Sequence, residues 1–266
     1  MRKSVIIDYL PESVGKYRLG WAIVAVDVIR ATTTAITAVA AGRRCFPAPA
    51  VEAALAIAQR LTDPLLAGES KSTTPVIFEM ENSPAQLANR NDTHRPLVLV
   101  SSSGTKLIHE AAGCEAVYLG SFRNHSVLPG YLTQRHTRVA VIGAGSKGEF
   151  REEDQICCAW IAAGLMNRGH LPASRQTADI VRRWHNAPPG ACLGSRSVDF
   201  LRRTSQLRDL DFILAHIDDR REVFEVLDGE VKVIIHEPAL PQWRPRTPEL
   251  AHGRGRLLTL KSQRRQ

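Results

Sequence analysis

Short apolar runs alternate with longer segments of helical period along most of the chain. Residues 5–8, 22–28, 97–101, 116–119 and 139–142 are rich in Val, Ile and Leu and read as strands. Their near-continuous hydrophobicity is the pattern of strands covered on both faces. Residues 31–41, 51–60, 104–112 and 152–168 read as helices, the last being the longest, and 198–203 as a shorter one. Residues 212–215 are a brief apolar stretch. Residues 224–227 and 231–235 flank Asp228-Gly229, a two-residue hairpin signal. The alternation predicts an α/β fold: a mixed sheet with helices on both faces, in two lobes spanning residues 1–240.

Charge changes this picture at one end only. The chain of 266 residues has a formal charge of +8, but residues 241–266 contain seven Lys or Arg against one acid. That segment also has three prolines and two glycines, and predicts a flexible basic tail. The first 240 residues are close to neutral, and the tail has one Trp and no aromatic ladder, so nucleic acid is not an expected partner. The longest membrane-like run, residues 19–29, is short of the ~18 residues a span needs and carries Asp27. No membrane span is expected. Met-Arg-Lys-Ser and the few apolar residues after it do not make a secretory signal, which predicts a cytoplasmic protein. The five cysteines lack a CxxC element, so neither a disulfide framework nor a zinc site is expected. Cys157 and Cys158 read as small core residues.

Polar residues collect where predicted strands end, the position at which open α/β sheets bind ligands. In Asp27-Val-Ile-Arg30-Ala-Thr32-Thr33-Thr34, an acid ends a strand and a Thr run opens a helix. Asp27 suits Mg²⁺, while Arg30 and the helix start suit a phosphate. An N-capped helix with a local ion pair explains the same residues. Gly68-Glu69-Ser70-Lys71 offers a further carboxylate, or a surface loop. Asn82-Ser83-Pro84 is a turn leading into a helix, in which Asn82 orients a substrate or caps the helix. Ser101-Ser102-Ser103-Gly104-Thr105 is a candidate anion nest. In Gly120 to Ser126, Arg123 could meet a second anion and His125 is a weaker candidate. Gly143-Ala-Gly145-Ser-Lys-Gly148 fits a dinucleotide fingerprint. It lies mid-chain, however, and opens on Glu149, Glu152, Glu153 and Asp154, which would repel a pyrophosphate; residues 169–177, loop-like by pattern, supply no acid-ended strand. The acids suit the helix dipole and a divalent cation, with Glu153 and Asp154 diverging by roughly 100°.

These six segments, in this order and spacing, resemble the 2-phosphosulfolactate phosphatase (ComB-like) family over about residues 5–235. The resemblance implies a Mg²⁺-dependent phosphoric monoester hydrolase that converts 2-phospho-3-sulfolactate to 3-sulfolactate and phosphate, a step of coenzyme M biosynthesis. It implies Asp27, Arg30 and Glu153 as catalytic residues and Asp27, Glu69 and Asp154 as metal ligands. Thr32, Thr33, Thr34, Asn82, Ser101, Ser102, Thr105 and Arg123 would bind a small phosphorylated acid, in a protein that family habit makes a homodimer. The nucleophile is water held by the metal or Asp27; the absence of Asp-x-Asp-x-Thr favours water. The chain departs from the family pattern at Ser103 (commonly Asn), at Glu81 (commonly Gly) and at Arg151-Glu152 (commonly Ser-Leu). These departures bear on the sulfonate more than on the phosphate. They leave room for another phosphorylated hydroxy acid, or for a non-catalytic anion-binding member.

Overall fold

The computed structural model describes residues 2–69 and 78–236. The basic segment 241–266, together with Ser70 and Lys71, lies outside the described residues. Ten strands form one mixed sheet. In chain order, β1 (Ser4–Tyr9) and β2 (Ala22–Val26) precede α1 (Ala31–Ala40), β3 (Cys45–Ala48), α2 (Val51–Ala58) and β4 (Leu65–Gly68). Then come α3 (Pro84–Ala88), β5 (Leu97–Val100), α4 (Gly104–Glu110), β6 (Ala116–Gly120), α5 (Val127–Arg135) and β7 (Arg138–Gly143). The chain continues through α6 (Glu152–Met166), β8 (Leu171–Pro172), α7 (Arg175–Trp184), α8 (Arg196–Arg203) and α9 (Leu207–Ala215), and ends in the hairpin β9 (Glu222–Leu227) and β10 (Glu230–His236).

The strand order is β4-β5-β3-β10-β9-β6-β2-β7-β1-β8. Pairings are parallel within β4-β5-β3 and within β6-β2-β7-β1-β8. The antiparallel β9–β10 hairpin bridges these two parallel halves, so the two expected lobes are halves of one continuous sheet. The hairpin turn uses Asp228 and Gly229, both at positive φ (52° and 77°), which matches the twist of paired strands.

Alternation along β2 divides the core. Val24 and Val26 pack on one face with α5, α6 and α7, while Ile23 and Ala25 pack on the other with α1 and α4. All five β2 residues are buried, as are eight of the ten in α1. Cys157 and Cys158 are buried free thiols within the first of these clusters. Among the described residues no helix is long and apolar enough to cross a membrane.

Several elements escape the hydrophobic pattern. Four-residue β3 contains Pro47, and β4 is equally short. Residues 169–177 are not all loop: β8 falls inside them and α7 begins at Arg175, capped by the Ser174 hydroxyl accepting from the Thr177 N–H. The apolar stretch 212–215 is the last turn of α9.

Candidate active site

The β2–α1 connection is shaped by its own threonines. The Asp27 N–H donates to Thr32 Oγ1 at 3.0 Å, and the Thr32 hydroxyl lies 2.8 Å from the carbonyls of both Asp27 and Gly120. Thr33 donates to the Val28 carbonyl at 2.8 Å and Thr34 to the Arg30 carbonyl at 3.1 Å. All three side chains are fully buried. Local hydroxyl-to-carbonyl bonding of this kind is a habit of Ser and Thr near helix starts. The Thr32, Thr33 and Thr34 hydroxyls therefore build the loop and do not point outward at a ligand.

Four carboxylates surround this loop. Asp27 leaves the end of β2 buried, and its carboxyl is pushed up to about 7. Loss of solvent is the main cause, followed by the charge of Glu69; the Ala31 N–H opposes the shift, Glu153 adds to it, and Arg30 opposes it. Glu153, in the first turn of α6, is raised by burial, an effect the hydroxyls of Ser197 and Ser195 counter. Its Oε2 is buried with no hydrogen-bond partner. Asp154 is raised well above the usual carboxylate range by burial and by the charges of Asp27 and Glu153. Its Oδ1 accepts from the Val28 N–H at 2.9 Å and its Oδ2 from the Gly145 N–H at 3.2 Å. Asp154 thus clips the loop after β2 to the loop after β7. Glu69, just past β4, accepts from the Ser102 hydroxyl at 2.9 Å and stands 3.7 Å from Arg30.

The same convergence fixes Gly104. A Cβ there would collide with the Asp27 carboxylate and come within 2.7 Å of the Ala31 side chain, so the start of α4 can lie against Asp27 only without a side chain. The carboxyl ends of β2, β4, β5 and β7 therefore meet around one acidic centre. Among the described residues, no group of three or more His, Cys, Asp or Glu side chains is placed to hold a metal ion directly.

Arg30 is buried, with Nη1 donating to Asp209 Oδ2 at 2.6 Å. Asn82 is buried, and neither its side-chain oxygen nor its nitrogen has a partner. Ser101 and Thr105 bind each other's backbone: the Ser101 N–H donates to Thr105 Oγ1 and the Thr105 N–H to Ser101 Oγ, both at 2.9 Å. Ser102 is exposed at the rim and donates to Glu69. Arg123 is drawn away from the centre. It makes two bonds to Asp219, at 2.9 and 2.6 Å, and one to the Thr37 hydroxyl at 2.8 Å. His125 packs on Trp160 with ring centroids 4.6 Å apart, and burial lowers its pKa. The departures from the family pattern have local partners: Glu81 accepts from the Gln206 amide, and Arg151 pairs with Glu149 at 2.8 Å. A cleft of about 650 Å³ lined by Tyr9, Phe150, Gln155, Ile180 and Arg183 lies beside the loop after β7, on residues other than the four acids.

A family model described as 2-phosphosulpholactate phosphatase matches residues 8–224, from the end of β1 into β9. The chain belongs to this family. The matched span holds every carboxylate of the acidic centre and stops short of the basic tail. A probable 2-phosphosulfolactate phosphatase of Deinococcus radiodurans is 29% identical over 229 residues, 84% of this chain and 93% of that protein. One of Clostridium perfringens is 24% identical over 244 residues, 88% and 97% of the two chains. One of Symbiobacterium thermophilum reaches 34% identity, over 53% of this chain and 62% of its own length, just under two thirds. The reaction the family is named for is hydrolysis of a phosphoric monoester.

Two residues of this phosphatase-family site lie outside the sequence motifs. Asp209 and Asp219, the partners of Arg30 and Arg123, follow long after the loops they serve. Asp209 had one legible signal: it shares the buried side of α9 with Leu210 and Ile213, an unusual place for an unpaired acid.

Proposed function

We propose that the protein is a Mg²⁺-dependent phosphatase that hydrolyses 2-phospho-3-sulfolactate to 3-sulfolactate and phosphate. The observation that carries this reading is the crowding of buried carboxylates around Asp27, where strand ends meet and where a divalent cation would relieve the repulsion. Mg²⁺ is commonly held by one or two carboxylates, with waters and substrate phosphate completing its shell. The residues fit that demand. Asp27 and Glu69, whose charge is the largest acting on Asp27, would hold the ion. Asp154 would hold the two loops around it. When bound, the ion supplies positive charge to the phosphoryl oxygens.

The remaining chemistry falls to side chains. Arg30 would neutralise a phosphoryl oxygen, and the Asn82 amide, buried without a partner, would take a hydrogen bond from or to the substrate. Glu153 has an unpartnered carboxylate oxygen and a pKa that burial raises, which suits a general base. It would accept a proton from the attacking water as the water oxygen bonds to phosphorus and the ester phosphorus–oxygen bond breaks, and the leaving alkoxide would take up a proton from solvent to give the hydroxy acid. Ser102, on the rim beside α4, would face the sulfonate or carboxylate.

The test is phosphate release from a panel of phosphorylated hydroxy acids, phosphosulfolactate and phospholactate among them, with Mg²⁺ and with EDTA. Metal-dependent release concentrated on phosphosulfolactate is the expected result. Release from another ester moves the substrate and keeps the chemistry. A folded, metal-supplied protein that releases phosphate from none of them refutes the proposal.

A further inference from the structure

Asp209 sits in α9, 179 residues beyond Arg30 in the chain, and is buried. Its two oxygens serve two different segments. Oδ2 accepts from Arg30 Nη1 at 2.6 Å. Oδ1 accepts from the Ser83 hydroxyl at 2.5 Å and from the Ala85 N–H at 3.1 Å. Ser83 also caps α3, accepting from the Gln86 N–H at 3.1 Å. On the other side of Asn82, Glu81 accepts from the amide of Gln206, the residue that opens α9. The turn that carries Asn82 is therefore held by α9 on both flanks, and one carboxylate ties that turn to Arg30.

Two features show what this rigidity is for. The Asn82 amide is buried with both polar atoms unpartnered, an arrangement that costs stability unless a ligand completes it. Arg30 Nη2 stands 3.7 Å from Glu69, beyond hydrogen-bond reach. Both groups can still bond to an incoming anion, and Arg30 and the turn that carries Asn82 are bonded to the same carboxylate.

We propose that Asp209 is a positioning residue for anion recognition: by binding Arg30 through one oxygen and the Asn82-Ser83 turn through the other, it holds the guanidinium and the amide in place for a shared anion. This rests on the phosphatase reading above.

The experiment is a double-mutant cycle between Arg30→Ala and Asp209→Asn, reading kcat/KM with Mg²⁺, the affinity for orthophosphate by calorimetry, and Tm. Asn at position 209 keeps an acceptor for Ser83 and Ala85 but turns a donor toward Arg30. Asp209→Asn alone should weaken orthophosphate binding and lower kcat/KM by ~10- to 100-fold, the scale expected when a binding group is misplaced by about 1 Å. Added to Arg30→Ala, it should cost little more, because the group it positions is gone. Ser83→Ala leaves the Asp209–Arg30 pair intact and removes one of the turn's three bonds to α9, those of Ala85 and Glu81 remaining; it should weaken orthophosphate several-fold while Tm falls only slightly. It carries the test if Asp209→Asn does not fold. Losses that simply add in the double variant, or an unchanged orthophosphate affinity in Ser83→Ala, overturn the inference. Wild-type protein that neither hydrolyses phosphate esters nor binds orthophosphate overturns the phosphatase reading and this one with it; active wild type with unaffected variants overturns this one alone.

Discussion

Replacing Asp27 with Asn should inactivate the protein and, without metal, make it more stable. The Asp27 carboxyl rises from 3.8 to about 7 on folding, because burial and the charges of Glu69 and Glu153 outweigh the Ala31 N–H and Arg30. An acid whose folded pKa is raised binds more protons in the native state than in the unfolded state between those two values. Stability must then fall as pH climbs from about 4 to 7, and the loss is complete above 7. A displacement of this size corresponds to ~4 kcal/mol. That figure is a ceiling for one residue, since the buried carboxyls of Asp27, Glu153 and Asp154 influence one another. Asn is nearly isosteric, keeps an acceptor for the Ala31 N–H, and carries no charge. A gain of ~1–3 kcal/mol at pH 8 is expected, or a Tm higher by ~2–10 °C for a chain of this length. The assay is thermal unfolding of both proteins in EDTA at pH 5 and pH 8, then with excess Mg²⁺. The difference should shrink at pH 5, where the folded-state Asp27 is protonated and its buried charge is gone. Mg²⁺ should raise the Tm of wild type and leave the variant almost unmoved, because an ion that binds the native state stabilises it by mass action. An Asp27→Asn protein that is less stable than wild type at pH 8, or equally displaced at both pH values, would refute the electrostatic account of the site.

The remaining expectations separate residues that act on the substrate from residues that hold the loops. Glu153→Gln should lower kcat by ~10²- to 10⁴-fold with KM little changed and Tm unchanged or raised, since it removes a base and a buried charge together; retained activity would move the base elsewhere. Gly104→Ala pushes a methyl group into the Asp27 carboxylate and the Ala31 side chain, and should cost ~1–3 kcal/mol in urea unfolding with a matching fall in metal affinity. Arg123→Ala should destabilise by ~1–2 kcal/mol by removing two bonds to Asp219, which keeps Arg220, and one to Thr37, yet leave the orthophosphate affinity of the folded fraction near wild type. A large loss of affinity with little loss of stability would restore Arg123 to the substrate.

What the sequence revealed about this site, and what it hid, follows the range of each interaction. Asp27 and Arg30 were legible because β2 is a continuous apolar run and the polar residues begin where it stops. Glu153 and Asp154 were legible because a long helical period starts on them. Both inferences need only neighbours along the chain. The Thr32-Thr33-Thr34 hydroxyls misled for the same reason: a helix start rich in hydroxyls looks ready for an anion, and nothing in the residue order shows that each hydroxyl is already bonded to a carbonyl. Arg123 misled because its partner Asp219 follows 96 residues later. Asp209 is the strongest case. It has no motif around it, and its meaning appears only when α9 folds back onto the β2–α1 loop and the turn before α3. The departures make sense in the same terms. Glu81 joins the Asn82 turn to α9 through Gln206, so a residue foreign to the family pattern reinforces the contact that Asp209 makes from the other flank. The Asn82 turn, which the proposed function gives to the phosphate, is therefore held by more than one bond, whereas Ser103 supplies no side-chain cap to α4, where that proposal would put the sulfonate. Substrate preference should consequently be more easily altered at the β5–α4 loop than at the Asn82 turn.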